Sequence, residues 1–309
     1  MIIGLSAVAW PLRISLCLVA TSIAPFLAGS DPSSVTAERS VRLAVSQKVM
    51  SGVNLNDARA ALTVWGQELS RTVGVNIESI GEMFLPSDQL VATIREGRVD
   101  LFCLTVQEFR QVRHCVDTSQ LLVEEGGGHE FVLLVRNDGG IANLAGLRGR
   151  NLILHESPQT NLAETWLAVT LAKAGLGAPG NLLSGISKNF RPAQVVLPVY
   201  FGKVDACLLT RRTLNTMYEL NPQLSRSLRV MAASPVLVHT FFAAHRDSRI
   251  KVPIFTRMTA TRQSLTAMQV LTLFHSSGFI VRDDRCLVSA NSLLDEYDQL
   301  ASSTPGRKR

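Results

Sequence analysis

Two nearly identical phrases constrain the fold of this chain more than any other feature of its sequence. GRVDLFCLT begins at Gly97 and GKVDACLLT begins at Gly202. Each phrase has a glycine that can end a helix, then Val-Asp, then an apolar run typical of a strand covered on both faces, and a final threonine. The copies are too far apart for a solenoid repeat, and their spacing predicts two similar lobes.

Strands and helices alternate before the first phrase. VRLAVS, at 41–46, is a β-rich run, and LNDARAALTVWGQELSRTVG follows with its apolar residues on one helical face. A second strand, VNIESIGE, and a helix capped by Ser87 come next. The order βαβαβ indicates a parallel sheet with crossover helices. Because the same order returns around the second phrase, each lobe is predicted to be an α/β unit.

The length of the chain allows two lobes and a C-terminal return. We predict the first lobe at 40–133, the second lobe at 134–236, and a return to the first lobe with C-terminal helices at 237–309. HEFVLLVRN and VLVHTFFAAHR are then the two strands that cross between the lobes. Two crossings make a hinge, and a hinge over a cleft predicts a ligand between the lobes.

Residues 1–29 are predicted to be a cleaved export signal. Arg13 precedes the apolar run ISLCLVATSIAPFLA, and small residues follow at 28–30. The run is short for a membrane span and is interrupted by Pro25. A cleaved signal places the protein in the periplasm, and a retained membrane anchor is the alternative.

Charge, cysteines and motifs argue against several classes of function. The formal net charge of +6 includes a basic C-terminal tripeptide, and the other basic residues lack interleaved aromatics, so no nucleic-acid partner is expected. Cys103 and Cys207 lie in apolar runs as buried thiols, whereas a Cys115–Cys286 disulfide is left open. EEGGGHEF, at 124–131, has no specific metal-ligand spacing, so no metal is expected. No nucleophile motif is present, so no enzyme is predicted.

The sequence resembles a known family, most strongly between 144 and 235. LAGLRGRNLILHESPQTNLAETWLAVTLAKAGL, GKVDACLLTRRTLNTMYELNPQL and VMAASP resemble the periplasmic phosphate-, phosphite- and phosphonate-binding proteins of ABC importers. The resemblance extends from about 41 to 279. It implies the α/β, two-lobed fold of the type II periplasmic-binding-protein superfamily, with a mainly parallel sheet flanked by helices in each lobe and two crossing strands. It also implies half of an anion site at the loop ESPQTN, 156–161.

Candidate ligand-binding residues lie where strands end and helices begin. A helix N-terminus offers unpaired N–H groups to an anion, and parallel sheets bind ligands at the carboxyl ends of their strands. Helix capping, strand-end hydrogen bonding and solvation are the structural alternatives. Glu156, beside this loop, would oppose a fully charged phosphate unless it accepts from a ligand amine or hydroxyl. The predicted ligand-binding residues are Ser157, Thr160, Asn161, His155, Thr105, Thr210, Ser46 and Lys48.

These features together predict a solute-binding protein. It would capture a small, phosphate- or phosphonate-like anion in the interlobe cleft and pass it to the membrane subunits of an ABC permease. Neither a cofactor nor catalysis is expected. A periplasmic sensor or accessory ligand-binding subunit of the same fold, signalling to a membrane partner, is the alternative, and a membrane anchor would favour it.

Overall fold

The computed structural model describes residues 40–248, 251–260, 268, 271 and 276–303. The predicted export signal lies outside these residues. Across the described ranges, no helix combines the length and the apolar character that a membrane span needs.

Two β-sheets organise the described residues. The strands are β1 (Ser40–Ser46), β2 (Asn76–Leu85), β3 (Leu101–Thr105), β4 (Leu121–Glu124), β5 (Phe131–Arg136), β6 (Asn151–His155), β7 (Gly185–Asn189), β8 (Ala206–Thr210), β9 (Leu228–Ala233), β10 (Thr240–Ala244) and β11 (Phe279–Arg282). A six-stranded sheet has the order β11-β4-β10-β3-β1-β2, and a five-stranded sheet has the order β7-β6-β8-β5-β9. We call the part built on the first sheet lobe 1 and the part built on the second sheet lobe 2.

Helices cover both sheets. They are α1 (Leu55–Val73), α2 (Ser87–Arg95), α3 (Val106–Val112), α4 (Ala163–Lys173), α5 (Pro179–Leu182), α6 (Pro192–Tyr200), α7 (Arg211–Leu220), α8 (Gln223–Ser227), α9 (Lys251–Ala260) and α10 (Val288–Ser303). Helix α1 shows how the sequence builds them: the Asn54 side chain accepts from the backbone N–H groups of the first turn, and Gly74 ends the helix with a φ of 67°. Its predicted apolar face, which includes Leu62 and Trp65, is buried.

The two repeated phrases form equivalent strands, as predicted. Strand β3 pairs in parallel with β1, and β8 pairs in parallel with β6. The aspartate of each phrase fixes the neighbouring strand in the same way: Asp100 Oδ2 accepts from Arg42 N at 3.0 Å, and Asp205 Oδ2 accepts from Asn151 N at 2.9 Å. The aspartate of the phrase therefore makes the same hydrogen bond to the backbone of the adjacent strand in each lobe.

Each sheet combines a parallel core with antiparallel strands. Strand β1 lies parallel to β2 and β3, and β6 lies parallel to β7 and β8. The strands nearest the crossings, β10 and β5, pair antiparallel with β3 and β8. The chain reaches β5 and β10 from the other lobe, and these strands run opposite to their neighbours. The mainly parallel pairing expected of each lobe is therefore confined to the three-stranded cores β3-β1-β2 and β7-β6-β8.

The two segments that cross between the lobes lie side by side. His129 N donates to Leu237 O and Leu237 N donates to His129 O, both at 2.9 Å. A Cβ atom at Gly128 would lie 2.6 Å from Leu237 O, and the φ of Gly128 is 126°, so only glycine fits this close approach. The crossing segments form a paired hinge here, while the lobe boundaries at 133/134 and 236/237 stay predictions.

The C-terminal helix contacts both lobes. Helix α10 packs against α4 of lobe 2 and also contacts α3 of lobe 1. Lys173 Nζ pairs with Glu296 Oε2 at 2.7 Å, and Arg110 Nη2 pairs with Asp295 Oδ1 at 2.7 Å. Residues 237–309 were predicted to return to lobe 1, because they are too few and too helical to form a third α/β domain. An amphipathic helix does not specify which surface will cover its apolar face. In the structure α10 bridges the lobes.

The four cysteines of the described residues are free thiols. Cys103 and Cys207 are buried in β3 and β8, as predicted, and burial raises the pKa of both thiols. Cys115 and Cys286, whose pairing the sequence left open, are also unpaired. Partial burial and the nearby Asp283 and Asp284 raise the pKa of Cys286 to about 11.

Candidate functional site

A polar cavity of about 270 Å³ lies between the lobes. It is formed at the carboxyl ends of parallel strands, where ligands of α/β proteins gather. Residues that line it from lobe 1 are Lys48, Ser51, Thr105 and Gln107, and those from lobe 2 are Leu154, Glu156, Ser157, Thr160, Asn161, Glu164 and Lys188.

Two buried polar atoms of this cavity have no hydrogen-bond partner in the described part of the chain. They are Gln107 Oε1, an acceptor from lobe 1, and Asn161 Nδ2, a donor from lobe 2. An unpaired buried polar group costs about 1–3 kcal/mol, so native structures rarely leave one without a reason. A ligand that offers both a donor and an acceptor would satisfy both lobes at once.

The loop between β6 and α4 contributes one hydroxyl that can donate to a ligand and one hydroxyl that is bonded within the loop. Thr160 Oγ1 accepts from Ser157 N at 3.0 Å and lies 2.8 Å from His155 O, to which it donates. Thr160 therefore stabilises the conformation of the loop through these hydrogen bonds. Ser157 Oγ accepts from the Thr160 backbone N–H in a capping box and makes a long contact of 3.4 Å to Thr160 Oγ1, so its hydroxyl proton remains available to a ligand.

The hydroxyls of lobe 1 surround a buried carboxylate. Ser46 Oγ and Ser87 Oγ each donate to Glu108 Oε1 at 2.6 Å, and the Thr105 backbone and hydroxyl donate to Glu108 Oε2 at 2.8 and 2.9 Å. Glu108 is fully buried. These hydroxyls cannot also donate to a ligand, because each has a single proton and donates it to Glu108. Ser87 was predicted to cap α2; that prediction is wrong, because Pro86 holds the N-cap position and makes no side-chain bond.

The charges of the cavity are unevenly paired. Lys188 Nζ forms an ion pair with Glu164, and that hydrogen bond, followed by the charges of Glu164 and Glu156, raises the pKa of Lys188. Lys48 is exposed at the cavity and forms no ion pair with the residues that the structure describes. The ammonium of Lys48 is thus the positive charge at this cavity that can form an ion pair with a ligand.

The structure brings some of the predicted site residues together and leaves others aside. Ser157, Thr160, Asn161, Thr105 and Lys48 line the cavity. His155 and Thr210 do not: His155 Nε2 lies 3.3 Å from Phe190 O, and the Thr210 hydroxyl caps α7 by accepting from Thr213 N. Ser46 also does not line the cavity, since its hydroxyl faces Glu108.

Residues that line the cavity without having been predicted from the sequence include Ser51, Gln107, Glu164 and Lys188. Gln107 is the second residue of α3, directly after the strand of the first phrase, so its position at a helix start was a usable signal. Lys188 lies on β7, whose residues are mostly exposed and carry no apolar alternation, so nothing marked it as part of a strand.

Two histidines stack within the hinge. The ring centroids of His129 and His239 lie 5.1 Å apart, and His129 Nε2 lies 2.8 Å from Glu124 Oε2. The backbone oxygen of His239 accepts from Val106 N at 2.8 Å, at the start of α3. Burial, and to a lesser extent the neighbouring His129, lower the pKa of His239 to about 3. His239 therefore connects the hinge to the helix that carries Gln107.

Comparison with protein families identifies a family model that matches most of the chain. The model of a family described as ABC transporter, phosphonate, periplasmic substrate-binding protein matches residues 50–285. A comparison with curated proteins gave no significant match.

Solved structures share the fold at low sequence identity. A Xanthomonas citri protein bound to chloride ion is 15% identical, with a TM-score of 0.60, and the match covers 86% of this chain and 99% of that one. PhnD1 from Prochlorococcus marinus in complex with methylphosphonate is 14% identical, with a TM-score of 0.57 and coverage of 85% and 99%. A binding protein component of an ABC phosphonate transporter from Pseudomonas aeruginosa is also 14% identical, with a TM-score of 0.57 and coverage of 88% and 91%.

Proposed function

Since the chain belongs to the periplasmic substrate-binding proteins of phosphonate ABC transporters, we propose that it captures a small ligand with an anionic group between its lobes and delivers it to the permease of an importer. The observation that carries this proposal is the pair of unsatisfied buried atoms, Gln107 Oε1 and Asn161 Nδ2, one in each lobe. A ligand that bonds both atoms links the lobes to each other.

Binding is coupled to closure in this proposal. The ligand has differential affinity for the closed form, because only closure brings donors and acceptors of both lobes within reach. Lys48 attracts the anionic group from lobe 1, and Ser157 Oγ with Asn161 Nδ2 donates to it from lobe 2. Binding and release are the whole of the proposed activity, and no covalent step takes part.

We also propose export through a cleaved signal at 1–29. The family acts outside the cytoplasm, and the predicted cleavage lies near Ala28. N-terminal sequencing of the exported protein should therefore begin near residue 29. A mature protein that retains Arg13 would favour a membrane-anchored sensor or accessory subunit over an importer component.

Calorimetric titration of the exported protein tests the binding site. The panel is phosphate, phosphite, methylphosphonate, ethanesulfonate and succinate. Lys48→Met and Asn161→Leu should each weaken the best ligand about tenfold or more, because a hydrogen bond to a charged group contributes about 1.5–3 kcal/mol. Lys203→Met, at an exposed lysine outside the cavity, is the control and should leave affinity unchanged. Unchanged affinity in both cavity variants would place the site elsewhere.

A further inference from the structure

A second, apolar cavity of about 90 Å³ lies in lobe 1, beside the hinge. Helix α1 and strands of the six-stranded sheet form most of it, and Pro158 and Gln159 line it from lobe 2. None of the described residues lines both this cavity and the polar cavity. Its walls are mostly aliphatic and aromatic side chains, among them Met50, Leu62, Trp65, Leu122, Phe242 and Phe279.

A buried nitrogen in this wall has no hydrogen-bond partner in the described part of the chain. It is Nε2 of His239, a residue that is 4% exposed. The Gln159 backbone lies near the ring but makes no hydrogen bond to Nε2. The carboxylate of the wall is already paired, because Glu124 lies 2.8 Å from His129 Nε2 and 2.9 Å from Arg212 Nη1. Since native structures rarely leave a buried polar atom unpaired, His239 Nε2 points to an occupant that bonds to it.

The protonation state of His239 defines which group suits this nitrogen. The ring is neutral at pH 7, because burial lowers its pKa to about 3. A neutral imidazole has one N–H and one unprotonated nitrogen, so Nε2 either donates or accepts, depending on the tautomer. Its Nδ1 lies 3.4 Å from Thr240 Oγ1, which can act in either sense. A hydroxyl group both donates and accepts, so it satisfies Nε2 in either tautomer.

The walls and the volume of the cavity restrict the rest of the occupant. A carboxylate or an ammonium would lose its hydration here without gaining a charged partner, since Glu124 is already paired and His239 is neutral. A cavity of about 150 Å³ holds benzene, so a skeleton of about four carbon atoms and one oxygen suits the smaller volume.

We propose that this cavity is a second ligand site, which binds a compact neutral alcohol through a hydrogen bond to His239 Nε2 and apolar contacts with Trp65 and Phe242. The site is separate from the polar cavity and does not depend on the proposed capture of an anion. Because Pro158 and Gln159 line it from lobe 2, the alcohol contacts both lobes next to the hinge.

NMR titration of the exported protein with butan-2-ol tests the site. The indole N–H signal of Trp65 should shift saturably, with a dissociation constant below about 10 mM, as about five non-hydrogen atoms allow. The signal of Trp166, which packs against Phe131 in lobe 2 and does not line the cavity, should stay in place. The ring nitrogen shifts of His239 should change as Nε2 gains its hydrogen bond.

A compound without the hydroxyl isolates this hydrogen bond. 2-Chlorobutane has the carbon skeleton of butan-2-ol, with chlorine in place of the hydroxyl group. His239→Phe keeps an aromatic ring at the position but removes both nitrogens. The ratio of butan-2-ol affinity to 2-chlorobutane affinity should fall about fivefold or more in this variant, as expected for one lost hydrogen bond.

A variant that fills the cavity tests its location without altering the hinge. Val49 lines the cavity and is 6% exposed, so Val49→Phe should weaken the binding of both compounds about tenfold or more. Val64→Phe is the matched control, because Val64 is 45% exposed on α1 and lies outside the cavity. Thermal unfolding shows whether each variant is folded, and Val49→Leu replaces Val49→Phe if the larger side chain prevents folding.

The outcomes separate a ligand site from ordinary core packing. If the Trp65 signal does not shift saturably, or if binding survives in the folded Val49 variant, the proposal is overturned. An unchanged affinity ratio in His239→Phe overturns the role of the hydroxyl. If that variant does not fold, unaltered His239 ring shifts in the alcohol-bound wild type overturn it equally. Anion capture is tested separately by the phosphate panel.

Discussion

At the scale of single residues, buried polar groups determine what the cavity offers a ligand. Glu108 accepts from the hydroxyls of Ser46, Ser87 and Thr105, which lie on three separate elements of lobe 1. The positions of these residues at strand ends and helix starts could be predicted from local sequence. Their shared partner could not, because local sequence does not show that three elements converge on one carboxylate. Residue types therefore indicated which residues lie near the cavity better than they indicated the contacts that each residue makes.

Acid should destabilise the protein through His239. Its pKa is lowered to about 3 in the folded protein, against 6.5 for an unperturbed histidine. As pH falls below 6.5 the unfolded chain binds the proton first, so stability is lost progressively until pH falls to the folded pKa. The loss approaches about 1.4 kcal/mol per pH unit for one group. Urea unfolding at pH 7, 6 and 5 measures it.

The contribution of His239 is isolated by substitution. His239→Asn should reduce the pH dependence of the unfolding free energy between pH 6.5 and 5 by about one proton. Other histidines and the carboxylates titrate in both proteins, so their effects cancel in the difference. Identical slopes for the two proteins would mean that folding does not lower the pKa of His239.

At the scale of elements, apolar periodicity predicted most helices and the buried strands. Strands β3, β5, β6 and β8 are buried along most of their length, and each was recognisable as an apolar run. Strand β7, GISKN, was not predicted, because it lies at the sheet edge with most of its residues exposed. Hydrogen bonding to β6 makes it a strand, and that pairing is a tertiary property. The contacts of α10 with both lobes are likewise a tertiary property that its own sequence pattern does not specify.

Helix α10 should contribute to stability through its buried face. Leu294 is 5% exposed within the core, whereas Val288, at the start of the same helix, is 64% exposed. Leu294→Ala should lower the free energy of unfolding by about 2–4 kcal/mol, through lost burial and the cavity that remains. Val288→Ala, the control, should change it by no more than about 0.5 kcal/mol. Equal effects in urea unfolding would show that α10 is not docked in solution.

At the scale of the whole molecule, the repeated phrase correctly indicated two similar lobes and the cleft between them. The contact that closes this cleft was not visible in the sequence. Gly52 follows the first 3₁₀ turn of lobe 1, with a φ of 76°, and a Cβ atom there would lie 3.0 Å from Glu156 O of lobe 2. Sequence patterns describe each lobe separately, and the contact between lobes depends on how they are oriented.

Gly52→Ala should oppose closure. Its methyl group would meet the Glu156 carbonyl only when the lobes are together, so the variant should bind ligand about fivefold or more weakly. Gly74→Ala is a matched control, since Gly74 also has a positive φ of 67° but has no atom within 4 Å of a built Cβ. Both variants carry the cost of about 1 kcal/mol for a left-handed alanine.

Calorimetry and small-angle scattering distinguish the two glycine variants. Only Gly52→Ala should bind more weakly and keep a larger radius of gyration at subsaturating ligand. If both variants bind as the wild type does, the close approach of Gly52 to Glu156 is not part of the ligand-bound state.

The buried thiols make this protein well suited to fluorescent labelling. Cys103 and Cys207 are buried with raised pKa values, Cys115 is also buried, and the pKa of Cys286 is raised to about 11. Only thiolates react rapidly with maleimides, so few native sites compete at neutral pH. A dye attached after Ser51→Cys, at the cavity, would therefore report lobe closure directly, and the chain could serve as an optical sensor for its own ligand.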